Sequence, residues 1–261
     1  MRLLTLNCHS WQEENQLEKI EYLAKVIADH QYDVIALQEV SQTEMSPIVY
    51  DNVKQDNYGH VLVERVNHLS KEKYVLKWTP SHRAYDVYEE GVAILTKHQI
   101  EDVETTILSK SDNFDFWKTR ASLVVDILID NERITFVSCH IGWWKDEEEP
   151  SQFQIDNLLP ITSRKHPVFL MGDFNSEASV REEGYDYLLA NDIYDTFELA
   201  VEKDSGITVP GSIAGWEASK KSKRIDYIFT NQPIKVQSSK VIFNEENHMV
   251  ISDHYGVEIT I

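Results

Sequence analysis

"VFLMGDFNSEAS", residues 168–179, changes character in mid-run: VFLMG is apolar or small, and then Asp173 and Asn175 stand on either side of Phe174. A short apolar run closed by polar turn-formers is what a strand covered on both faces requires. Successive side chains of an extended strand point to opposite faces, so Asp173 and Asn175 are expected to share one side while Phe174 returns to the core. The strand stays apolar because it is buried between layers, and it delivers two polar tips at its end.

The same grammar extends along the chain. "RLLTLNCHS" reads as an opening strand, and in "EENQLEKIEYLAKVIADHQYD" the residues Leu17, Ile20, Leu23, Ala24 and Ile27 recur at helical spacing. "DVIALQEV" is a further doubly covered strand. From 57 to 137 the runs "HVLVERV", "YVLKWTPS", "GVAILTK", "RASLVVDILI" and "RITFVSCH" read as strands. "EPSQFQIDNLLPITS" and "REEGYDYLLAND" read as helices, and "RIDYIFTN", 234–243 and "YGVEITI" as closing strands. Strands outnumber interspersed helices, which favours two packed sheets with helices outside over a parallel barrel, an α+β or α/β sandwich.

With 261 residues and 42% apolar content, residues 1–261 are expected to form a single domain. Cys8 and Cys139 begin no CxxC spacing, so neither a disulfide framework nor a zinc ribbon is implied, and free thiols in a reducing compartment are expected. The apolar run of "MRLLTLNCHSW" is too short for a signal peptide or a membrane span, so the expected location is cytoplasmic, with no transmembrane segment. A formal charge of −19, from 44 acidic against 25 basic residues, repels phosphate backbones and makes duplex DNA a disfavoured partner. A local exception is "ASKKSKR" at 218–224, which is either a solvated loop or a positive mouth for small anions or a short single strand. Trp216 beside it offers a stacking face.

Several strand ends finish in polar residues of catalytic type: Asn7, Glu39, His140, Asp173 with Asn175, Asp226, and Asp253 with His254. Each alone has a bland reading, since Asp and Asn are common where strands give way to turns. Repetition is the signal. The blocks "LNCHSW", "LQEV", "GDFN", "RIDYIF" and "SDHYGV", in that order, resemble the signature blocks of the endonuclease/exonuclease/phosphatase superfamily, which includes deoxyribonuclease I, exonuclease III-type repair nucleases, neutral sphingomyelinases and inositol polyphosphate 5-phosphatases. The resemblance spans Asn7 to Val257. It implies a four-layer α/β/β/α sandwich of two mostly antiparallel sheets, and hydrolysis of a phosphoester with Mg²⁺ or Mn²⁺.

On that resemblance Glu39 suits a direct metal ligand, with Asp253 or Asn7 near the ion, because a hard divalent cation prefers carboxylate and amide oxygens. Asp173 is the candidate to orient or deprotonate the attacking water, and Asn175 to hold Asp173 or the phosphate. Asp226 is expected to hold His254 and favour its protonated form. Asp253 and His254 would face opposite ways on a regular strand, so both reach one site only if their segment is a loop or bulge. Glu90 in "EEGVAIL" fits a Glu that supports a second active-site His, here His140; exonuclease III-type relatives usually carry Tyr at that place. Asn7, Arg120 in "KTRAS", Lys221 and Lys223 are the candidate substrate contacts, with Arg120 equally readable as a surface charge.

Substrate is less legible than reaction class, because one scaffold carries many functions. The inositol 5-phosphatase variants of the last blocks are absent. Trp143 and Trp144 in "HIGWWKDEEEPSQF" suit either contact with an aromatic, sugar or lipid group or ordinary packing. The acids at 146–149 disfavour docking on an anionic membrane. The expected activity is therefore phosphodiester or phosphomonoester hydrolysis of a small-molecule or lipid-derived substrate; the alternatives are an endo- or exonuclease and a noncatalytic regulatory protein on the same scaffold.

Overall fold

The computed structural model describes residues 1–216 and 220–261. Alternation along two strands reveals the architecture. On Val168–Asp173, Val168 and Leu170 enter one core while Phe169 and Met171 enter another. On Val34–Thr43, Val34 and Ala36 face the core that Phe169 and Met171 share, while Ile35 and Leu37 face a third. Each sheet is therefore covered on both faces, and three cores separate four layers in the order α/β/β/α.

Among the described residues, one sheet has seven strands in the order Ala200–Lys203, Val236–Ile242, Gly256–Thr260, Arg2–Asn7, Val34–Thr43, Tyr88–Thr96, Val75–Ala84. The other has six, in the order Tyr194–Asp195, Asp226–Thr230, Val168–Asp173, Glu132–His140, Ala121–Ile129, Gln99–Ile107. Most pairings are antiparallel. Between the sheets Leu3, Val34 and Ile94 meet Val125, Phe136 and Met171, and Phe136 stacks on Phe169 with ring centroids 5.4 Å apart.

The helices Gln16–His30 and Tyr58–Leu69 cover the outer face of the seven-stranded sheet. Ser151–Thr162 and Gly184–Ala190 cover the other. On the first helix Ile20, Leu23, Ala24 and Ile27 are fully buried as the spacing predicts, but Leu17 is 58% exposed. "HVLVERV" corrects the sequence reading: it is helix, not strand. Asn57 caps it by accepting the His60 amide at 3.1 Å, and Leu62 and Val66, four apart, face the sheet. Its valines carry a strand preference that this packing overrides. The polar edge strand Gln99–Ile107 has no apolar alternation and so left no signal. No described helix is long and apolar enough to cross a membrane.

Each sheet holds a parallel pair that ends at the same edge of the sandwich. Arg2–Asn7 runs with Val34–Thr43, setting Asn7 opposite Gln38. Glu132–His140 runs with Val168–Asp173, setting Asp173 opposite His140. The antiparallel strand Asp226–Thr230 begins at that edge, with Asp226 opposite Asp173. Gly172 permits the close approach, since a Cβ there would lie 1.8 Å from the Cys139 carbonyl oxygen. Beneath the edge a buried network, Thr5 to Gln38 at 3.2 Å and Gln38 to Ser138 at 3.1 Å, joins the two sheets.

Candidate active site

At this edge a cavity of about 520 Å³ opens, and Glu39, His140, Asp173, Asn175, Asp253 and His254 all line it. Asn7 and Asp226 stand one hydrogen bond behind. The segment carrying Asp253 and His254 is irregular, so these neighbours both face the cavity, as anticipated. Asn175 arrives differently from the simple pleat: the strand ends at Asp173, and Asn175 is left-handed, with φ +45°. Its amide donates to Asp173 Oδ1 at 2.9 Å, an Asx-type turn, while Phe174 is buried in the outer core.

Asp226 holds His254 with both carboxylate oxygens, at 3.0 and 3.1 Å from Nδ1, and His254 Nε2 lies 3.7 Å from Asp173 Oδ2. Burial opposes charge on the imidazole, but Asp226 and Asp173 outweigh it and push His254 up to about 10. Asp173 is itself pushed up to about 7, by burial first and then by the Asp226 charge, against His254 and the Asn175 and Asn7 hydrogen bonds.

His140 differs. Its carboxylate neighbours are beyond hydrogen-bond length, Asp173 Oδ2 at 3.6 Å and Glu39 Oε1 at 4.0 Å. Burial, then the positive charges of Arg120, His254 and His82, hold it well below the usual histidine range. The Trp216 indole donates to Asn175 Oδ1 at 2.9 Å, which turns Asn175 Nδ2 toward Ile141 O at 3.0 Å and His140 Nε2 at 3.2 Å. His140 Nε2 is then the accepting nitrogen, and Nδ1 carries the proton on the side of Glu39.

Asn7 Nδ2 bridges Glu39 Oε1 at 2.9 Å and Asp173 Oδ2 at 3.1 Å, and its Oδ1, the atom a cation would need, accepts the His9 amide at 3.2 Å. Asn7 thus joins two carboxylates across the two sheets. Glu39 is pushed up to about 7 by burial, then by repulsion from Glu90 and, after the opposing Asn7 bond, Asp253. A divalent cation would relieve that repulsion, and the hard oxygen donors of Glu39 and Asp253 fit Mg²⁺ or Mn²⁺. Among the described residues, two groupings of three have ligand atoms within 4.8 Å of one another: Asp173, Asp226 and His254, and His9, Glu13 and Asp253. In the second, Glu13 is also paired with Lys19 at 2.6 Å.

Glu90 lines the cavity, but its partner is His82, not His140 as the sequence suggested. The His82 Nε2 to Glu90 Oε1 distance is 3.4 Å, and Ser41 Oγ reaches Glu90 at 3.3 Å. The bulge between Pro80 and His82 brings the imidazole there. Despite its burial, Glu90 is held below the usual carboxylate range by the His82 hydrogen bond and charge, then by Arg120. Arg120 is buried rather than a surface charge: Nη1 donates to Trp117 O at 2.8 Å, Nε has no partner, and no ion pair is formed among the described residues.

The basic island does not line the cavity. Lys223 is 2% exposed and donates to the Gly211 and Lys221 carbonyls at 2.5 and 2.9 Å. Arg224 pairs with Asp195 at 2.6 Å and lies over Tyr185, Phe197 and Tyr227. Lys220 and Lys221 face solvent, and residues 218 and 219 lie outside the described residues. Both Lys221 and Lys223 therefore stand away from the site expected for them, one solvated and one built into the loop. Of the paired tryptophans, Trp143 lines the cavity and Trp144 packs on Tyr187 at 5.5 Å. His9, His82, Tyr85 and Trp117, which no sequence block marks as functional, also line the cavity. His9 was visible within "LNCHSW", and Pro80 on an edge strand was a signal for the bulge that aims His82.

Fold and donor set define the class, a deoxyribonuclease I-like sandwich with its buried carboxylates and imidazoles at one sheet edge. The chain belongs to the Endonuclease/Exonuclease/phosphatase family, whose model it matches over residues 4–254. Members are generally metal-dependent phosphoester hydrolases. An endonuclease/exonuclease/phosphatase family protein from Leptotrichia buccalis C-1013-b is 40% identical, with TM-score 0.94 over 100% of this chain and 99% of that one. A mannosyl-6-phosphatase from Bacteroides thetaiotaomicron VPI-5482 shares the fold at 14% identity, TM-score 0.69, covering 100% and 98%. Truncated TDP2 from Caenorhabditis elegans does so at 16%, TM-score 0.66, covering 99% and 95%. No curated protein matches the chain.

Proposed function

We propose that this protein is a single-domain, cytoplasmic, Mg²⁺- or Mn²⁺-dependent hydrolase of a small-molecule or lipid-derived phosphoester. The observation that carries the reading is the cluster Asp226–His254···Asp173–Asn7–Glu39, hydrogen-bonded throughout except for the 3.7 Å ion pair between His254 and Asp173, which joins a charged imidazole to a metal-type carboxylate across both sheets. Glu39 and Asp253 hold the cation, with Asn7 orienting Glu39. When bound, the cation supplies neutralisation of charge on phosphoryl oxygens and on the leaving group.

Asp173 takes the proton of the attacking water. Each of its oxygens already accepts one bond, from Asn7 and from the Asn175 amide, which fixes the carboxylate and leaves lone pairs for the water. The imidazolium of His254 donates from Nε2 to a phosphoryl oxygen, and neutral His140 donates from Nδ1. Arg120, buried and without an ion-pair partner among the described residues, supplies a further positive charge. Glu90 and His82 form a neighbouring pair that holds the Arg120 side of the cavity.

The cavity's size supports a small substrate rather than a duplex. Trp117 and Trp143, with centroids 6.1 Å apart, wall one side and suit an apolar or ring-bearing leaving group. Lys223 and Arg224 are engaged within their loop, and Lys220 and Lys221 point to solvent outside the cavity lining, which weakens the support for a nuclease. Free Cys8 and Cys139, both buried, suit a reducing compartment.

A panel of phosphomonoesters, phosphodiesters, single-stranded DNA and duplex DNA, assayed with Mn²⁺, tests the reading. Turnover of small esters that Asp173→Ala abolishes is expected. Preferential DNA cleavage would replace the reading with the nuclease, and no turnover of any substrate with a noncatalytic regulatory protein.

A further inference from the structure

Glu39 occupies a backbone position that a regular strand would deny it. Along Val34–Thr43, Ile35 and Leu37 face the helix-covered core, so unbroken alternation would send residue 39 there too. Instead Val40 takes that place. Leu37 pairs with Ala93 and Val40 with Gly91, so Gln38 and Glu39 together stand opposite Val92, a bulge that shifts the parity by one residue. Glu39 accommodates it in a left-handed conformation, φ +52°, which is disfavoured for a residue with a Cβ and persists only where the surroundings enforce it.

Ser10 supplies that enforcement. It is 2% exposed and does not line the cavity. Its hydroxyl donates to the Glu39 carbonyl at 2.5 Å and accepts the Ser41 amide at 2.8 Å, clasping the backbone on both sides of Val40. The Ser10 amide also donates to Glu39 O at 3.3 Å, the Cys8 thiol reaches Gln38 O at 3.0 Å, and the Trp11 indole donates to Ser41 O at 3.1 Å. The segment delivering these donors is itself bent, with His9 and Trp11 both left-handed.

We propose that Ser10 is a positioning residue for cation binding: its hydroxyl locks the bulge that turns the Glu39 carboxylate out of the helix-facing core and into the cavity. The proposal rests on Glu39 holding the cation. Without the hydroxyl, the bulge can relax toward a regular register, in which a one-residue shift carries the side chain to the other face.

Mn²⁺ affinity, read from the electron paramagnetic resonance of free Mn²⁺ in titrations of folded protein, tests this without turnover. Glu39→Gln is the control for the underlying reading, and thermal melts set the folded fraction. Ser10→Ala is expected to weaken Mn²⁺ binding roughly tenfold, as loss of a residue supporting a metal ligand does. Ser10→Cys, isosteric but a weak donor, is expected to fall between and carries the test alone if the alanine variant does not fold. Adding Ser10→Ala to Glu39→Gln should cost nothing more. Weakening by Glu39→Gln with Ser10 variants within about twofold of wild type would reduce Ser10 to packing and overturn the proposal. An unchanged affinity in Glu39→Gln would instead bring down the metal reading itself, and Ser10's role with it.

Discussion

His254 and His140 face one cavity, the first buried and the second partly exposed, and one is charged while the other is neutral. His254 has a carboxylate at 3.0 and 3.1 Å on Nδ1, and its charge survives burial. His140 has none closer than 3.6 Å and three cationic groups nearby, so burial prevails and it stays neutral. Burial alone therefore decides nothing about an imidazole; the nearest charged partner does. The cavity gains one imidazolium that can stabilise anionic charge and one neutral ring that donates from a single nitrogen.

The comparison is most exposed in paired substitutions. His254→Ala is expected to lower kcat by roughly a thousandfold and His140→Ala by about a hundredfold, measured on the best small phosphoester. Equal losses would erase the distinction drawn between them.

Asp226→Asn removes the charge that sustains the imidazolium. It should lower kcat about a hundredfold and move the alkaline limb of the pH–rate profile to lower pH. The sign follows from the wild type: Asp226 and Asp173 hold His254 up to about 10, so the imidazolium is lost only as pH rises through that value, and with one anion gone it is lost earlier. A limb that does not move would assign it to another group.

Metal binding separates the two sides further. Glu39 sits up at about 7, so protons compete with the cation below that value. Mn²⁺ affinity should rise with pH and level off above 7, weakening about tenfold per unit below it. Calorimetric titrations from pH 5.5 to 8 at roughly unit spacing measure this directly.

Smaller effects belong to the aromatic wall on the Arg120 side. Trp143→Ala should raise KM several-fold, on the order of fivefold, for a ring-bearing ester while leaving kcat nearly unchanged. Lys221→Glu, at a solvent-exposed residue outside the cavity lining, should leave kcat/KM within about twofold.

Much of this arrangement could be read from the chain because strand ends carry their chemistry in local pattern. The apolar run before Asp173 and the expectation of a break at Asp253–His254 each needed only neighbouring residues. What could not be read depends on distant partners. "HVLVERV" is helical because an Asn57 cap and a sheet beneath it outweigh valine's preference. Glu90 turns to His82 because a bulge in the adjoining strand delivers that ring. The charge of Arg224 serves Asp195 and three aromatic rings, which no count of basic residues distinguishes from an anion-binding patch.

The amide of Asn7 ties a carboxylate of one sheet to a carboxylate of the other. Alignment of the reacting groups is thus inherited from how the two sheets are seated on each other. A slip of roughly half an ångström between the sheets near Phe136 and Phe169, below the cavity, would be felt first as lost turnover, ahead of any change in melting point.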